Sequence, residues 1–499
     1  MNILDGLEAA ARFRGDHPAI VFEERALTYR ELRVAVNNLA VGLAGAGIRA
    51  GERVCLFLPN VPELPIAYYA LMQLGAVAVS VNIMSKPDEL RHIVQDSEAV
   101  AILTLADHAS TIPPRAEIPS VRSIFTDAGV ADGGVISFAE MIRRAAAPLP
   151  AADVGRDTPA AILYTSGTTG KCKGAVLSHG NVVSNVHSTR HATGMRPDDV
   201  MNCFLPLFHC FGQNFIMNAT LYSGATLLLQ RRFVLDQALA AVRHHRVTMF
   251  FGVPTIYIAL FGSAEAAEAL RGVRYYFSAA AILPVDVERA WHELTGLHIH
   301  EGYGLTETSP FASYNHAFAW RQGSIGSPID NVEMRVVDEQ DRPLADGEVG
   351  EICIKGPNVM LGYFNRPADT EAAVVEGWFH SGDIGYRDVD GYYYIVDRVK
   401  DMINAAGFKI WPREVEEVLF RHSKIKECAV LGVPDDHLGE AVKAFVVLKE
   451  GEQASADEIA AYCREHLSNY KVPRYVELVQ TIPKGATGKI LKKELRRAP

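Results

Sequence analysis

The run YTSGTTGKCKG at 164–174 crowds three glycines, four aliphatic hydroxyls and two lysines into eleven positions. Glycine lets backbone N–H groups close on an anion, the hydroxyls of Thr165, Ser166, Thr168 and Thr169 add donors, and Lys171 and Lys173 add charge. This is the equipment of a polyphosphate-binding loop, with Gly167 and Gly170 at the points of close approach. It is not a Walker A loop. That motif puts four residues between its first Gly and the Gly-Lys pair and a hydroxyl after the Lys. Here only Thr168 and Thr169 separate Gly167 from Gly170, and Cys172 follows Lys171. The plain alternative is a flexible polar turn, which Gly/Ser/Thr clusters often form.

Such a loop needs a rigid element to hold it, and the apolar run AAIL at 160–163 leads straight into it. Upstream, VCLFLPN, an Ala/Leu-rich stretch at 65–74 and AVAVSVN alternate as strand, helix, strand, the rhythm of a parallel sheet. TMFFGVP at 248–254 and VRYYFSA at 273–279 read as short buried strands, and Pro284 opens a helix with acids close behind. From about Gly323 the pattern changes to MRVVD, GEICIKG and GYYYIVD, separated by Gly, Pro and Asp turns, as in an antiparallel β-module. Beyond Asp397 a small α+β unit follows, with strands ECAVLGV and KAFVVLK and a helix opened by Ser455 with Glu458 at capping-box spacing. The expected fold class is α/β: a large N-terminal domain of several subdomains at 1–399 and a small α+β C-terminal domain at 400–499.

With 499 residues the chain is too long for one ordinary core. Its 48% hydrophobic and 22% charged content is that of a globular protein, and Gly and Pro are spread along it. The formal net charge of -10 argues against a nucleic-acid backbone or an anionic membrane as main partner. Residues 1–15 lack a secretory pattern, and no run approaches the ~20 apolar residues of a membrane span. Seven scattered cysteines without C-x-x-C spacing fit reduced thiols of a cytoplasm, with structural or incidental roles.

In motif order the chain resembles the adenylate-forming superfamily, which includes acyl-CoA synthetases, beetle luciferases and peptide-synthetase adenylation domains. The resemblance rests on LTYREL at 27–32, LGAVAVSVN at 74–82, the phosphate loop, PLFHCFG at 206–212 and GYGLTE at 302–307. It continues through GEI at 350–352, GY at 362–363, HSGD at 380–383, DRVKD at 397–401, NYKVP at 469–473 and PKGATGK at 483–489. It implies ATP, Mg²⁺ and coenzyme A as ligands, with Glu307 binding Mg²⁺, a hard cation suited to oxygen, and Thr306 binding the attacked phosphoryl group. Tyr303 would pack on adenine beside Gly304, though a tyrosine often serves only as a core aromatic. Asp383, a lone acid in a Gly turn, would accept both ribose hydroxyls, with Arg398 a second ribose contact. His209, otherwise readable as a structural histidine, would orient the substrate carboxylate and gate the acyl tunnel. Lys489, ordinarily a solvated charge, would reach the carboxylate and the α-phosphate. Lys400 would be the hinge about which the C-terminal domain rotates, presenting the face near Gly407 to the pantetheine thiol.

The implied reaction is acyl-AMP formation followed by acyl transfer to coenzyme A. The acid is expected to be neutral. Peptide-synthetase domains place an Asp after the His209 region and malonate-type synthetases an Arg at the position of Gly302, and this chain has neither. Phe211, Gly212 and Gly302 join Ala279, Ala280 and Ala281 as expected pocket residues. SAAA at 278–281 stands where many relatives have Ser-Gly-Gly-Ala, and added methyls narrow such a pocket, which suggests a fatty, branched or alicyclic acid. Two alternatives stand beside this reading: an acyl-AMP ligase that loads a carrier-protein thiol, and a catalytically silent adenylate-binding protein. The C-terminal domain and the lack of a fused carrier favour free coenzyme A over the first, and the presence of Glu307, Asp383 and Lys489 opposes the second. Cys172 departs from the Pro usual in relatives and loosens the loop by about 0.4–1 kcal/mol. The oligomeric state, monomer or homodimer, is left open.

Overall fold

A computed structural model describes residues 1–128, 135–165, 172–261, 263, 265–398, 401–406, 408–435, 437–485 and 490–496. Two sheets form the bulk of the N-terminal part. One has eight strands in the spatial order Gly362–Tyr363, Lys173–Ser178, Pro159–Thr165, Val77–Ser80, Arg53–Phe57, Ala101–Thr104, Ser123–Thr126 and Val135–Ser137. It is parallel from Pro159–Thr165 outward, and its first two strands run antiparallel to their neighbours. The near-continuous apolar runs VCLF and VAVS follow from this, because both faces of a parallel sheet are covered. The helix Glu63–Leu74 covers part of it and is buried along most of its length. It ends at Gly75, whose φ of 67° a side chain would oppose.

The second sheet has nine strands, with Ile299–Gly304, Tyr275–Ser278, Met249–Gly252, Val200–Cys203, Thr226–Leu229 and Pro18–Phe22 running parallel at its centre. Antiparallel strands close both edges. The β-module expected after Gly323 is a five-stranded antiparallel sheet of Glu333–Val337, Gly350–Lys355, Trp378–Arg387, Val374–Val375 and Tyr393–Arg398.

Residues from Ile403 onward carry apolar clusters of their own, built on Ile403, Val415, Leu419, Val430, Val442 and Ile459. Their sheet pairs Ile425–Asp435 with Gly439–Leu448 along ten registered positions, and Ser455 caps the helix Ala456–His466 by accepting the N–H of Glu458 at 3.1 Å. All seven cysteines are free. Among the described residues no helix is long and apolar enough to cross a membrane.

One element departs from its sequence reading. The stretch after His209, to which the sequence assigns no regular element, is a π-helix over Phe211–Asn218 with every residue buried. Gly212 permits it: a Cβ there would overlap the carbonyl of Pro206. A wide π-helical turn is a frequent device at functional sites, and this one directs Phe211 towards the core and keeps His209 at its mouth.

Candidate functional site

Pro159–Thr165 and Lys173–Ser178 are the two arms of a hairpin, with Thr165 opposite Lys173, and the phosphate-loop sequence joins them in the chain. Ser166, Gly167, Thr168, Thr169, Gly170 and Lys171 lie outside the described residues, as do Lys400, Gly407 and Lys489. At the base of the hairpin the Thr165 hydroxyl donates to Glu307 Oε1 at 3.5 Å, and the Tyr363 hydroxyl donates to the same oxygen at 2.9 Å. Glu307 sits on the 3₁₀ turn Thr306–Thr308, just beyond the strand Ile299–Gly304, and is 8% exposed. Burial pushes its carboxyl above the usual carboxylate range. Among the described residues no Lys, Arg or His lies within ion-pair distance of it. A buried acid with no ion-pair partner among the described residues suits a hard cation.

Lys173 is already paired. Its ammonium lies 2.5 Å from Asp369 Oδ1 and 5.4 Å from the centroid of the Tyr363 ring. It thereby steadies the tyrosine that holds Glu307. Neither Tyr363 nor Asp369 had been singled out by sequence reasoning; the GY pair was recognised only as part of a motif, and nothing in spacing alone links position 363 to 307.

Asp383 and Arg398 face each other on adjacent antiparallel strands, with Arg398 Nε 2.8 Å from Asp383 Oδ1. The Tyr303 hydroxyl donates to the other carboxylate oxygen at 2.8 Å. The three residues read as a nucleoside-binding set therefore converge on one carboxylate. Tyr303 itself is buried in the main core cluster, and Gly304 ends its strand.

The acid-binding candidates meet at a small cavity of about 10 Å³ lined by Leu205, Pro206, His209, Phe211, Gly212, Val253 and Ala280. His209 Nδ1 accepts the N–H of Phe211 at 3.2 Å, which leaves Nε2 as the N–H donor of the neutral ring. Cys210 bridges the two halves of the site: its Sγ is 3.8 Å from His209 Nδ1 and 3.6 Å from Thr306 Oγ1. Burial pushes the Cys210 thiol up to about 12, so it packs and spaces but does not react. Behind the cavity Phe211, Phe215, Phe277 and Phe311 interlock, with Phe215 stacked on Phe277 at 4.6 Å and Phe211 edge-on to Phe311 at 5.6 Å. Gly302 lies under this cluster, where a Cβ would overlap the rings of Phe277 and Phe311. Of the three alanines only Ala280 lines the cavity. Ala279 packs into the core and Ala281 is exposed, because the strand ends at Ser278 and the chain turns at Ala280.

The AMP-binding enzyme family model matches residues 7–364, and the model of the AMP-binding enzyme C-terminal domain matches residues 414–489. The long-chain-fatty-acid–CoA ligase of Salmonella typhimurium is 36% identical, over 99% of this chain and 94% of that protein. The feruloyl-CoA synthase of an Amycolatopsis species is 38% identical, over 95% of this chain and 94% of its own. Among solved structures, that of the anthranilate CoA ligase AuaEII in complex with anthranoyl-AMP superposes with a TM-score of 0.93 at 30% identity, covering 100% of this chain and 97% of that one.

Proposed function

The chain belongs to the AMP-binding enzyme family, and from that premise we propose that it is an AMP-forming acyl-CoA synthetase acting on a neutral carboxylic acid. One observation carries the reading furthest: the acid cavity at His209 and the turn bearing Thr306 and Glu307 adjoin across the single buried thiol of Cys210. An acid held at His209 thus lies beside the place where a phosphoryl group would be held. The two units, 1–399 and 400–499, act as separate domains with the pivot at Lys400.

A carboxylate is a poor acyl donor because its leaving group would be oxide. In the first half-reaction a carboxylate oxygen attacks the α-phosphorus of ATP, the bond to the bridging oxygen breaks, and pyrophosphate leaves. His209 orients the attacking carboxylate through Nε2–H, and Thr306 donates its hydroxyl to the phosphoryl oxygens. Asp383 and Arg398 hold the ribose while Tyr303 flanks the base. Glu307, a buried carboxylate with no ionic partner among the described residues, would hold Mg²⁺, and this cation when bound neutralises phosphate charge. In the second half-reaction the thiolate sulfur of coenzyme A attacks the acyl carbon, the acyl–oxygen bond breaks, and AMP departs. Coenzyme A is favoured over a carrier protein by the relatives, which are named as CoA ligases and synthases. A cavity wall with no Lys or Arg among the described residues, and the aromatic rings packed over Gly302, favour a neutral acid.

A panel of fatty, branched, alicyclic and aromatic acids, each with ATP, Mg²⁺ and coenzyme A, tests this by AMP release and product mass. Acyl-CoA and AMP in equal amounts are expected from neutral acids. Acyl-AMP that is discharged only by a carrier-protein thiol would point to the alternative acceptor.

Two variants examine the site at finer grain. Tyr363→Phe removes one donor to the Glu307 carboxylate, a hydrogen bond to a charged group worth about 1.5–3 kcal/mol. The expected result is an apparent KM for MgATP raised by roughly tenfold or more, with the KM for the acid unchanged; steady-state kinetics at varied Mg²⁺ would show it. Ala280→Gly removes the one alanine methyl at the cavity, from a residue whose φ of 69° favours glycine, so the fold should not suffer. Bulkier acids should gain about tenfold in kcat/KM relative to the best native substrate, within the roughly 10–200-fold range that an apolar pocket discriminates by small volumes. An unchanged ranking in an active variant would remove Ala280 from the determinants of acid size.

A further inference from the structure

A second cluster of metal-ligating side chains lies in the β-module, outside the nucleotide site. Cys353 and His380 stand directly opposite each other on the antiparallel strands Gly350–Lys355 and Trp378–Arg387, with Sγ 3.5 Å from Nδ1. The turn after Glu333–Val337 brings in Asp341, whose Oδ1 is 3.6 Å from His380 Nε2. One ligand atom from each of the three residues lies within 4.8 Å of the other two. We propose that Asp341, Cys353 and His380 form a binding site for a divalent cation of the Zn²⁺ class, separate from the hard-cation position at Glu307.

The donor geometry of His380 supports this most directly. Its Nδ1 is 3.0 Å from Glu351 Oε2, and in the neutral ring that hydrogen bond places the proton on Nδ1. Nε2 then turns a lone pair towards Asp341 Oδ1, and among the described residues this buried nitrogen has no hydrogen-bond partner. A cation between them would give Nε2 a partner and take over the Asp341 oxygen to which Arg335 now donates. A carboxylate on the far nitrogen is also the usual means of orienting a ligating histidine. Thiol, imidazole and carboxylate together suit Zn²⁺ and not Mg²⁺, which prefers oxygen alone. Cys353 would give up its thiol proton on binding a thiophilic cation. Arg335 opposes binding: its Nη2 lies 3.3 Å from Asp341 Oδ1, where it supplies positive charge, and its guanidinium rests over the Trp378 ring at 4.3 Å. A bound cation would take its place. It would tie together two strands and a turn at the root of the Gly382–Asp383 segment, because Glu351 Oε1 accepts the Gly382 N–H at 2.8 Å.

The test uses the full chain, stripped with a chelator and free of nucleotide, titrated with Zn²⁺ by calorimetry and with Co²⁺ by absorption. One Zn²⁺ per chain is expected to depend on Cys353, with Co²⁺ giving a thiolate charge-transfer band and excess Mg²⁺ failing to compete. Cys353→Ser should abolish the band and weaken Zn²⁺ by at least about tenfold. Arg335→Gln keeps all three ligands and should tighten Zn²⁺ several-fold, which no general loss of folding could mimic. Absence of Zn²⁺ binding would overturn the proposal and leave His380 simply bridging Glu351 and Asp341. Unchanged affinity in both variants would overturn it too.

Discussion

Replacing Lys489 by Ala is expected to slow acyl-AMP formation by at least roughly 10², while acyl transfer from pre-made acyl-AMP to coenzyme A changes far less. As the carboxylate attacks, negative charge gathers on the pentacoordinate α-phosphate, and one preorganised donor at such a place typically contributes about 3–4 kcal/mol to the barrier. Only interactions stronger in the transition state than in the ground state affect the chemical step, and this charge exists only in the first half-reaction. The described chain on either side of this lysine is anchored. Lys484 and Ile490 pair across the base of its loop, Lys484 Nζ is 2.8 Å from Glu427, and Lys492 Nζ is 3.0 Å from Glu416. Pyrophosphate exchange and single-turnover thioester formation, measured separately, distinguish the two half-reactions. Equal losses in both would remove Lys489 from the role proposed for it.

The second large effect is expected at Lys400, between the β-module and the C-terminal unit. Lys400→Pro fixes φ near roughly -65° and removes a backbone donor, so one domain orientation should be trapped. In this structure the two sides of the residue are bonded to each other: Asp397 Oδ2 accepts the Arg413 N–H at 2.9 Å, while Arg496 lies 3.5 Å from Asp401 within the C-terminal unit. Rotation of the C-terminal unit about Lys400 would break the Asp397–Arg413 bond, the backbone change being taken up by a few residues as hinge motion usually is. If the adenylating orientation is trapped, pyrophosphate exchange survives and thioester formation falls by orders of magnitude. A variant with both half-reactions at normal rates would show that the chain does not pivot at this residue.

Much of this architecture was legible in the sequence because its signals are local. The strands around VCLF and VAVS declare their burial by continuous apolar runs, and the β-module declares its turns by Gly, Pro and Asp. Motif order likewise pointed to Thr306, Glu307, Asp383 and Arg398, and the last two meet across one strand pair. What escaped was long-range pairing. Lys173 looked like a phosphate contact because its partner, Asp369, lies 196 positions away in the chain. Tyr363 reaches Glu307 across 56 positions, and Cys210 reaches Thr306 across 96. The alanine run at 279–281 misled differently: three identical side chains in a row face three directions, and only the backbone turn at Ala280 decides which one meets the cavity. The π-helix at Phe211–Asn218 has no sequence period of its own and depends on the close approach that Gly212 allows.

The central claim is that a carboxylate oxygen becomes bonded to the α-phosphorus of ATP. It is tested most directly by supplying an acid labelled with ¹⁸O in both carboxylate oxygens, together with ATP, Mg²⁺ and coenzyme A, and weighing the products. An acyl-adenylate route predicts AMP carrying one labelled oxygen, unlabelled pyrophosphate, and acyl-CoA that keeps the other. Unlabelled AMP, or ADP with the label in inorganic phosphate, would contradict the account.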